Sequence, residues 1–523
     1  MKMNTRRKAK THVNFDGGKS YNFKDPFLRL KVVCASCFFG EPQYYKHEKK
    51  HSTTIDDWHH ELKDCLSPIF TDEWQKLSPS ETIEKAIDEC LKIDPERTLE
   101  IARDLRNNDF MRTTPQVMLV RASVHPEVRG TGMIRHFADS ICKRGDEPMV
   151  CFSYFKKKFP KEKIPMGLKK SLRDILESFS PYTIAKYKME KNEVSMTDVI
   201  KYVHAFSPAI KQLFEGKAKQ TDKTWNDVVS NSKASTPKEK KDTWTKALSK
   251  MPHMALLRNL RNLEKADVPA SKWKEKFHAG VKEGKQFPFR YWAAFQNVSK
   301  DETKDIIEEA LELSFDNVPS FKGSSLVLCD NSGSAKGTTT SEFGTVRISE
   351  IGNLMGTVIV KKSDRGDLVV FGDGYAKIPC RKKSSTFDIL NDANEAKVGG
   401  STETGLWTWL KKAIDEKIFY DRIFVLSDLQ CGHGKLYAAG VEINNKYIVD
   451  IARYGGHKYL NVPSIISEYR KNVNPNCMVY LIQTAGYTDT IMPEFFDKTF
   501  IIGGWSQGII NFAHEMENIF NQK

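Results

Sequence analysis

The stretch "LVLCDNSGSAKG" (Leu326–Gly337) carries an apolar run into an aspartate, and two serines, Ser332 and Ser334, follow at alternate positions. A short apolar run that ends in a polar, glycine-containing turn reads as a buried strand entering a tight loop, with Gly333 relieving the turn. The same grammar recurs in "DLVVFG" (367–372), "DRIFVLSD" (421–428), "CMVYLIQ" (477–483) and "TFIIGG" (499–504). Between these runs the apolar spacing predicts helices over Thr345–Val360, Thr404–Glu416, Val462–Asn472 and Gln507–Phe520. Strand–helix alternation predicts an open, doubly wound α/β sheet over residues 322–523.

Ligands of such a sheet bind outside the carboxyl ends of its strands. Asp330 ends the first strand, and Ser332 and Ser334 lie in the loop behind it. Two further strand-end loops offer matching oxygens: "GGSTETG" (399–405) with Thr402 and Thr404, and "VLSDLQ" (425–430) with Asp428. Two carboxylates and several hydroxyls form an all-oxygen, low-charge set of the kind that suits Mg²⁺. The alternative is an ordinary turn without metal. No activated nucleophile or general base accompanies these residues, so no enzyme is expected. The insertion over 431–460 is either a lid or a surface hairpin, and its His433 and His457 read as surface residues.

Upstream the pattern is helical. "PSETIEKAIDECLKI" (79–93) and "PERTLEIARDL" (95–105) have apolar residues at helical spacing. Comparable patterns occur at 115–125, 165–179, 194–206, 234–251, 252–266, 287–298 and 299–315. Paired helices of this length predict an irregular HEAT-type solenoid over 25–318, with a compact helical domain as the alternative. Residues 1–24 read as a basic disordered arm.

The chain has 523 residues and a formal net charge of +14. Residues 321–523 hold 23 basic and 22 acidic side chains, so nearly all the excess belongs to the helical part. A polyanionic partner follows naturally, nucleic acid above all. Lys169, Lys170 and Arg173 share one helical face, and Lys186 and Lys188 flank Tyr187. Cations at such spacing neutralise phosphates, and a tyrosine among them can stack on a base; the plainer reading is a solvated basic helix. Arg258 and Asn259, among core leucines, read equally as an RNA contact and as a structural hydrogen bond. Cys34 and Cys37 have CxxC spacing but no second pair, so buried free thiols are expected rather than a zinc site. Reduced thiols, no apolar leader and no run of 18 apolar residues predict a cytoplasmic protein without a membrane span.

Aspartate–serine–serine at a first strand end, then a glycine–threonine loop, then a strand-terminal aspartate, resembles the von Willebrand factor A domain. That resemblance implies Asp330, Ser332, Ser334, Thr402 and Asp428 as ligands of a divalent ion. The family usually reads Gly-Gly-Thr where Ser401 intervenes here, so Ser401 is the alternative to Thr402. "FLRLKVVCASCFFGEPQYY" (27–45), "FKKKFPKEKIPMGLKKSLRDIL" (155–176), "AKYKMEKNEVSMTDVIKYVH" (185–204) and "MPHMALLRNLRNL" (251–263) precede that domain. The two-part order resembles the Ro autoantigen family of TROVE-module proteins over roughly 25–523. The resemblance implies a closed helical-repeat ring whose ends the A domain fastens. It implies Y-type RNAs on the outer basic face, and 3′ ends of misfolded non-coding RNAs in the central hole. It further implies roles in RNA quality control and stress, a partnership with an exoribonuclease such as polynucleotide phosphorylase, and a monomer. Where many members carry a histidine ahead of the acidic residue of the helix starting near Ser195, Met196 and Thr197 stand here, with His204 further on.

Overall fold

The computed structural model describes residues 11–13, 19–22, 25–36, 79–109, 111–187, 194–217, 224–284, 286, 288–337, 346–400, 404–429, 448–450, 458–460, 462–484, 489–490, 498–503 and 508–521. The chain divides into two compact units. Ile83–Glu275 form a helical unit; residues from Lys276 onward, with the N-terminal elements up to residue 36, form the other.

After α1 (Pro26–Ser36), which belongs to the second unit, the helical unit runs from α2 (Pro79–Ile93) to α3 (Pro95–Asn107), α4 (Thr114–Val124), α5 (Met133–Ile141) and α6 (Glu147–Lys158). It continues through α7 (Met166–Ser178), α8 (Pro181–Tyr187), α9 (Met196–Val203) and α10 (Pro208–Phe214) to α11 (Trp225–Ser230), α12 (Pro237–Leu248) and α13 (His253–Lys265). The starts are written locally. Asp94 accepts from the Arg97 amide at 3.0 Å with Pro95 opening α3, and Ser195 with Asp198 forms a capping box for α9. The helices pack on near neighbours in the chain: α3 on α4 and α5, α4 on α6, α7 on α9. Arg121 of α4 ties three layers, reaching Asp88 (2.7 Å) on α2 and the Tyr154 hydroxyl (2.7 Å) on α6. This is the repeat-like stacking that the helical spacing predicts.

The second unit is built on a six-stranded sheet. Its strands are β3 (Phe321–Asp330), β4 (Ser363–Phe371), β5 (Tyr375–Ile378), β6 (Arg422–Ser427), β9 (Met478–Gln483) and β11 (Thr499–Gly503). Their order is β11-β9-β6-β3-β4-β5, parallel except for the antiparallel edge strand β5, which the sequence reading does not contain. Side chains alternate between two faces. Leu326, Leu328, Val369, Ile423, Val425, Val479 and Leu481 join a core with Trp407 and Leu410 of α20 (Thr404–Asp415) and Tyr469 of α21 (Val462–Asn472). On the other face α18 (Ile348–Lys361) covers β3 and β4, and the Tyr480 ring stacks on Phe424 at 4.8 Å and donates to Ala513 of α22 (Gly508–Asn521). Burial on both faces explains why these strands read as continuous apolar runs.

This unit takes in more than residues 322–523. Val32 of α1 joins the sheet core. Phe295 of α15 (Pro288–Phe295) and Phe387 of α19 (Thr386–Glu395) lie 4.3 Å apart, and Glu312 of α16 (Asp301–Ser314) binds buried Lys361 at 2.5 Å. Within the expected disordered arm, β1 (Thr11–Val13) and β2 (Lys19–Asn22) pair antiparallel, and β2 also pairs with β10 (Asp489–Thr490). The 431–460 insertion contributes an antiparallel pair, β7 (Ile448–Asp450) with β8 (Lys458–Leu460); His433 and His457 lie outside the described residues. Among the described residues no helix is long and apolar enough to cross a membrane.

Arg422 is the polar pin of this unit. It is buried, bonds Glu517 of α22 (Nη2–Oε2 2.9 Å), Ser325 (3.0 Å) and the Lys322 carbonyl (2.6 Å), and lies over the Phe321 ring. Arg422→Ala strands the Glu517 carboxylate, so a loss of about 3–5 kcal/mol in urea unfolding is expected. Lys412→Ala, from an exposed pair with Glu416, should cost under about 1 kcal/mol in the same measurement.

Candidate functional site

β3 lies at the middle of the sheet. From it the chain goes to β4 and β5 on one side, and then returns to β6, β9 and β11 on the other. The reversal opens a crevice between the carboxyl ends of β3 and β6, the place where open α/β sheets bind ligands. The register pairs Cys329 with Leu426, so Asp330 and Asp428 emerge side by side. Both are buried. The Ser332 amide donates to Asp330 Oδ1 (2.8 Å), the Ser332 and Ser334 hydroxyls are 3.0 Å apart, and Ser334 Oγ donates to Asp428 Oδ2 (3.1 Å). Asp330 Oδ2 is buried without a hydrogen-bond partner among the described residues. Burial first, and then the charge of Asp428, pushes the Asp330 carboxyl up to about 7, although hydrogen bonds from Ser332 and Ser427 favour its ionised form.

Close backbone contacts hold the loops together. The Gly333 amide donates to the Gly400 carbonyl (2.9 Å), and a side chain at Gly333 would meet that same oxygen. Gly405 donates to Gly372 (2.8 Å), and any β-carbon there would collide with the Gly374 carbonyl. Leu429, just past Asp428, has a left-handed backbone (φ 56°) and donates its amide to Ser427 Oγ at 2.9 Å. A β-carbon-bearing residue in that region marks a turn that its surroundings enforce.

Asp330, Ser332, Ser334 and Asp428 thus converge; Ser401 and Thr402 lie outside the described residues. Among the described residues no three His, Cys, Asp or Glu side chains cluster as a metal site, so a cation here depends on hydroxyl donors. The oxygen-only donor set and the orphaned Asp330 Oδ2 fit a hard divalent cation. Ser427, fully buried behind the carboxylates, was missed in the sequence reading; its place just before a strand-terminal aspartate was the available signal.

In the helical unit the expected cations divide. Lys169 and Lys170 of α7 and Lys186 of α8 have no carboxylate at ion-pair distance among the described residues, and Lys170 and Lys186 are exposed. Arg173 is spoken for: with Arg135 it holds Asp174, whose carboxyl falls below its usual range because these hydrogen bonds outweigh its slight burial. Tyr187 is half-buried with its ring against Gly145, while Lys186 and Arg144 lie near it. Lys188 lies outside the described residues. Arg258 is exposed on α13; Asn259 is buried, donates to the Ala255 carbonyl (2.8 Å) and accepts from Asn262 (2.9 Å). That resolves Asn259 as a structural hydrogen bond. Cys34 is a buried free thiol, and Cys37 lies outside the described residues. His204 ends α9 in a left-handed conformation.

One unit of packed helices and one doubly wound α/β unit with an oxygen-lined crevice define the class: a helical-repeat and α/β two-unit protein. Residues 216–316, spanning α11 to α16, match the TROVE domain family. The chain also shares its fold with the crystal structure of the Deinococcus radiodurans RO (RSR) protein, at a TM-score of 0.54 and 12% identity, covering 94% of this chain and 100% of that one. No curated protein matches the sequence. The first finding places a TROVE-type segment at residues 216–316, and the second shows the fold.

The carboxylate pair gives a signed prediction. An unfolded aspartate titrates near 4, as is general for the free side chain. Between there and about 7 the folded state keeps a proton on Asp330 that the unfolded state has released. Stability from this group is therefore full at low pH and lost as pH rises to 7. In chelator, Asp330→Asn should match the parent melting temperature near pH 4 and exceed it at pH 7.5. A variant that melts lower than the parent at pH 7.5 contradicts the buried like-charge pair.

Proposed function

We propose that the protein binds RNA through its helical unit and holds a divalent cation, Mg²⁺ by its donor chemistry, in the crevice of its α/β unit. The observation that carries the RNA reading is how charge is spent. In the helical unit Arg106, Arg121, Arg129, Arg135, Arg144 and Arg173 are each bonded to a carboxylate. Lys169, Lys170 and Lys186 are not paired with a carboxylate among the described residues, and Lys170 and Lys186 are exposed, in a chain of net charge +14. Unpaired surface lysines keep their full charge for phosphates, and their release of counterions drives association. The TROVE match and the Ro-type fold support the same reading.

Within it, the ligands are small structured Y-type RNAs and the 3′ ends of misfolded non-coding RNAs, in RNA quality control and stress response. The protein acts as a cytoplasmic, non-enzymatic monomer that presents such RNA to an exoribonuclease such as polynucleotide phosphorylase. In the second unit, Asp330 and Asp428 would balance the cation's charge and Ser332 and Ser334 would complete the cage, with Thr402 the further ligand that the A-domain resemblance implies. A bound cation would neutralise the two carboxylates and offer an open position to an oxygen of a partner. The two sites are independent: the cation site answers to Asp330, the RNA site to the lysines.

The test is a fluorescence-anisotropy titration of a hairpin RNA, with and without a 3′ tail, across salt. Lys169→Ala with Lys170→Ala should flatten the log–log slope by about 1.4–1.8, from 0.7–0.9 per phosphate contact. Lys382→Ala with Lys383→Ala, the same charge change on the other unit, should leave it unaltered. A parent protein whose affinity ignores salt sinks the RNA reading and favours a protein-interaction scaffold with an adhesive A domain. In a separate thermal-shift measurement, millimolar Mg²⁺ should stabilise the parent at pH 7.5 and leave Asp330→Asn unmoved.

A further inference from the structure

Tyr202 of α9 stands where three helices meet. Its half-buried ring meets Phe152 of α6 edge-on, at 5.0 Å between centroids. Lys156 of α6 brings its ammonium to 4.5 Å from the same ring, and Lys169 of α7 brings its own to 5.7 Å. Neither lysine has a carboxylate partner among the described residues. Four residues on, the Phe206 side chain is 73% exposed, while its amide is held by Glu177 of α7 at 2.8 Å. Two aromatic side chains and two cations without carboxylate partners among the described residues thus line one short stretch of the helical unit.

The geometry points to Tyr202 as a stacking platform for an unpaired RNA base, with Lys156 and Lys169 taking the phosphates on either side of that nucleotide. The inference rests on the RNA-binding reading above and narrows it to single-stranded segments. The chemistry is matched in both parts. An ammonium over a partly exposed ring is held more weakly than a base stacked on it. An arriving base therefore displaces the lysine heads, and their flexible stems let them turn to the adjoining phosphates. Phe152 fixes the ring from its edge, so Tyr202 is ordered before the base arrives. A duplex has no free base to offer, so it gains only the phosphate contacts. The Tyr187 ring, laid against Gly145, is less well placed for the same task.

The test uses the full chain, a labelled unstructured oligouridine of twelve nucleotides and a blunt RNA duplex. Tyr202→Leu should weaken oligouridine binding about ten- to a hundredfold while duplex affinity stays within twofold. Tyr202→Phe, which keeps the ring, should bind both as the parent does. Unchanged oligouridine affinity in Tyr202→Leu, or equal losses for the two RNAs in a variant that melts like the parent, would overturn the platform. Should Tyr202→Leu melt early, the parent decides by itself: photo-crosslinking to 4-thiouridine-substituted oligouridine should place an adduct on the tryptic peptide Tyr202–Lys211. Adducts confined to other peptides would overturn it. A parent that binds neither RNA in a salt-dependent way removes the RNA reading itself, whereas a parent that binds both with Tyr202 silent removes only this inference.

Discussion

The parallel pairing of β3 with β6 is the constraint on which the α/β unit turns. It sets two aspartates, distant in sequence, side by side in a buried crevice. Buried like charges repel with little water to screen them, and one of the carboxyls keeps its proton to about neutral pH. The neighbourhood is organised around that cost. Amide and hydroxyl donors converge on the pair, the glycine-lined loops close to backbone contact, and Leu429 is held in a left-handed turn. Such a site is unfavourable by itself, and a divalent cation would resolve it.

The helical unit solves a different electrostatic problem. It carries its excess positive charge in two ways, with some cations paired inside the fold and others left at the surface. Several guanidinium groups, which suit fixed bidentate pairing, are bonded to carboxylates within and between helices. Several ammonium groups are left outside, near aromatic rings. Ring faces attract cations only modestly at an exposed site, so these lysines remain available to a stronger anionic partner.

Much of this was legible along the chain, because the relevant signals are local. Period-3.6 and continuous apolar runs located α2, α13, α21 and the five longer strands to within a few residues. A strand ends where its apolar run meets a polar turn, so Asp330 and Asp428 could be placed at strand ends before their contacts were known. The edge strand β5 escaped because "YAKI" (375–378) is too short and too polar to carry a pattern. Helices α5 and α6 were not singled out either, although "MIRHFADSI" (133–141) is strongly amphipathic.

Other properties belong to the tertiary structure because they are relations between residues far apart in the chain. Sequence spacing could put Arg173 on a basic face, but it could not show that Asp174, with Arg135 brought in from α5, occupies it. Nor could it show that Tyr187 would settle on Gly145 while Tyr202 received two lysines from other helices. Nor does a helix pattern show what buries its apolar face: Phe295 of α15 meets Phe387, and Glu312 of α16 binds Lys361. The sequence by itself determined which elements form and which residues cap their ends, because hydrogen-bonding and apolar period act within a few residues. Only the tertiary structure decided which charges are neutralised, which rings are covered and which carboxylates meet. Those depend on distances that the chain sets only once it has folded.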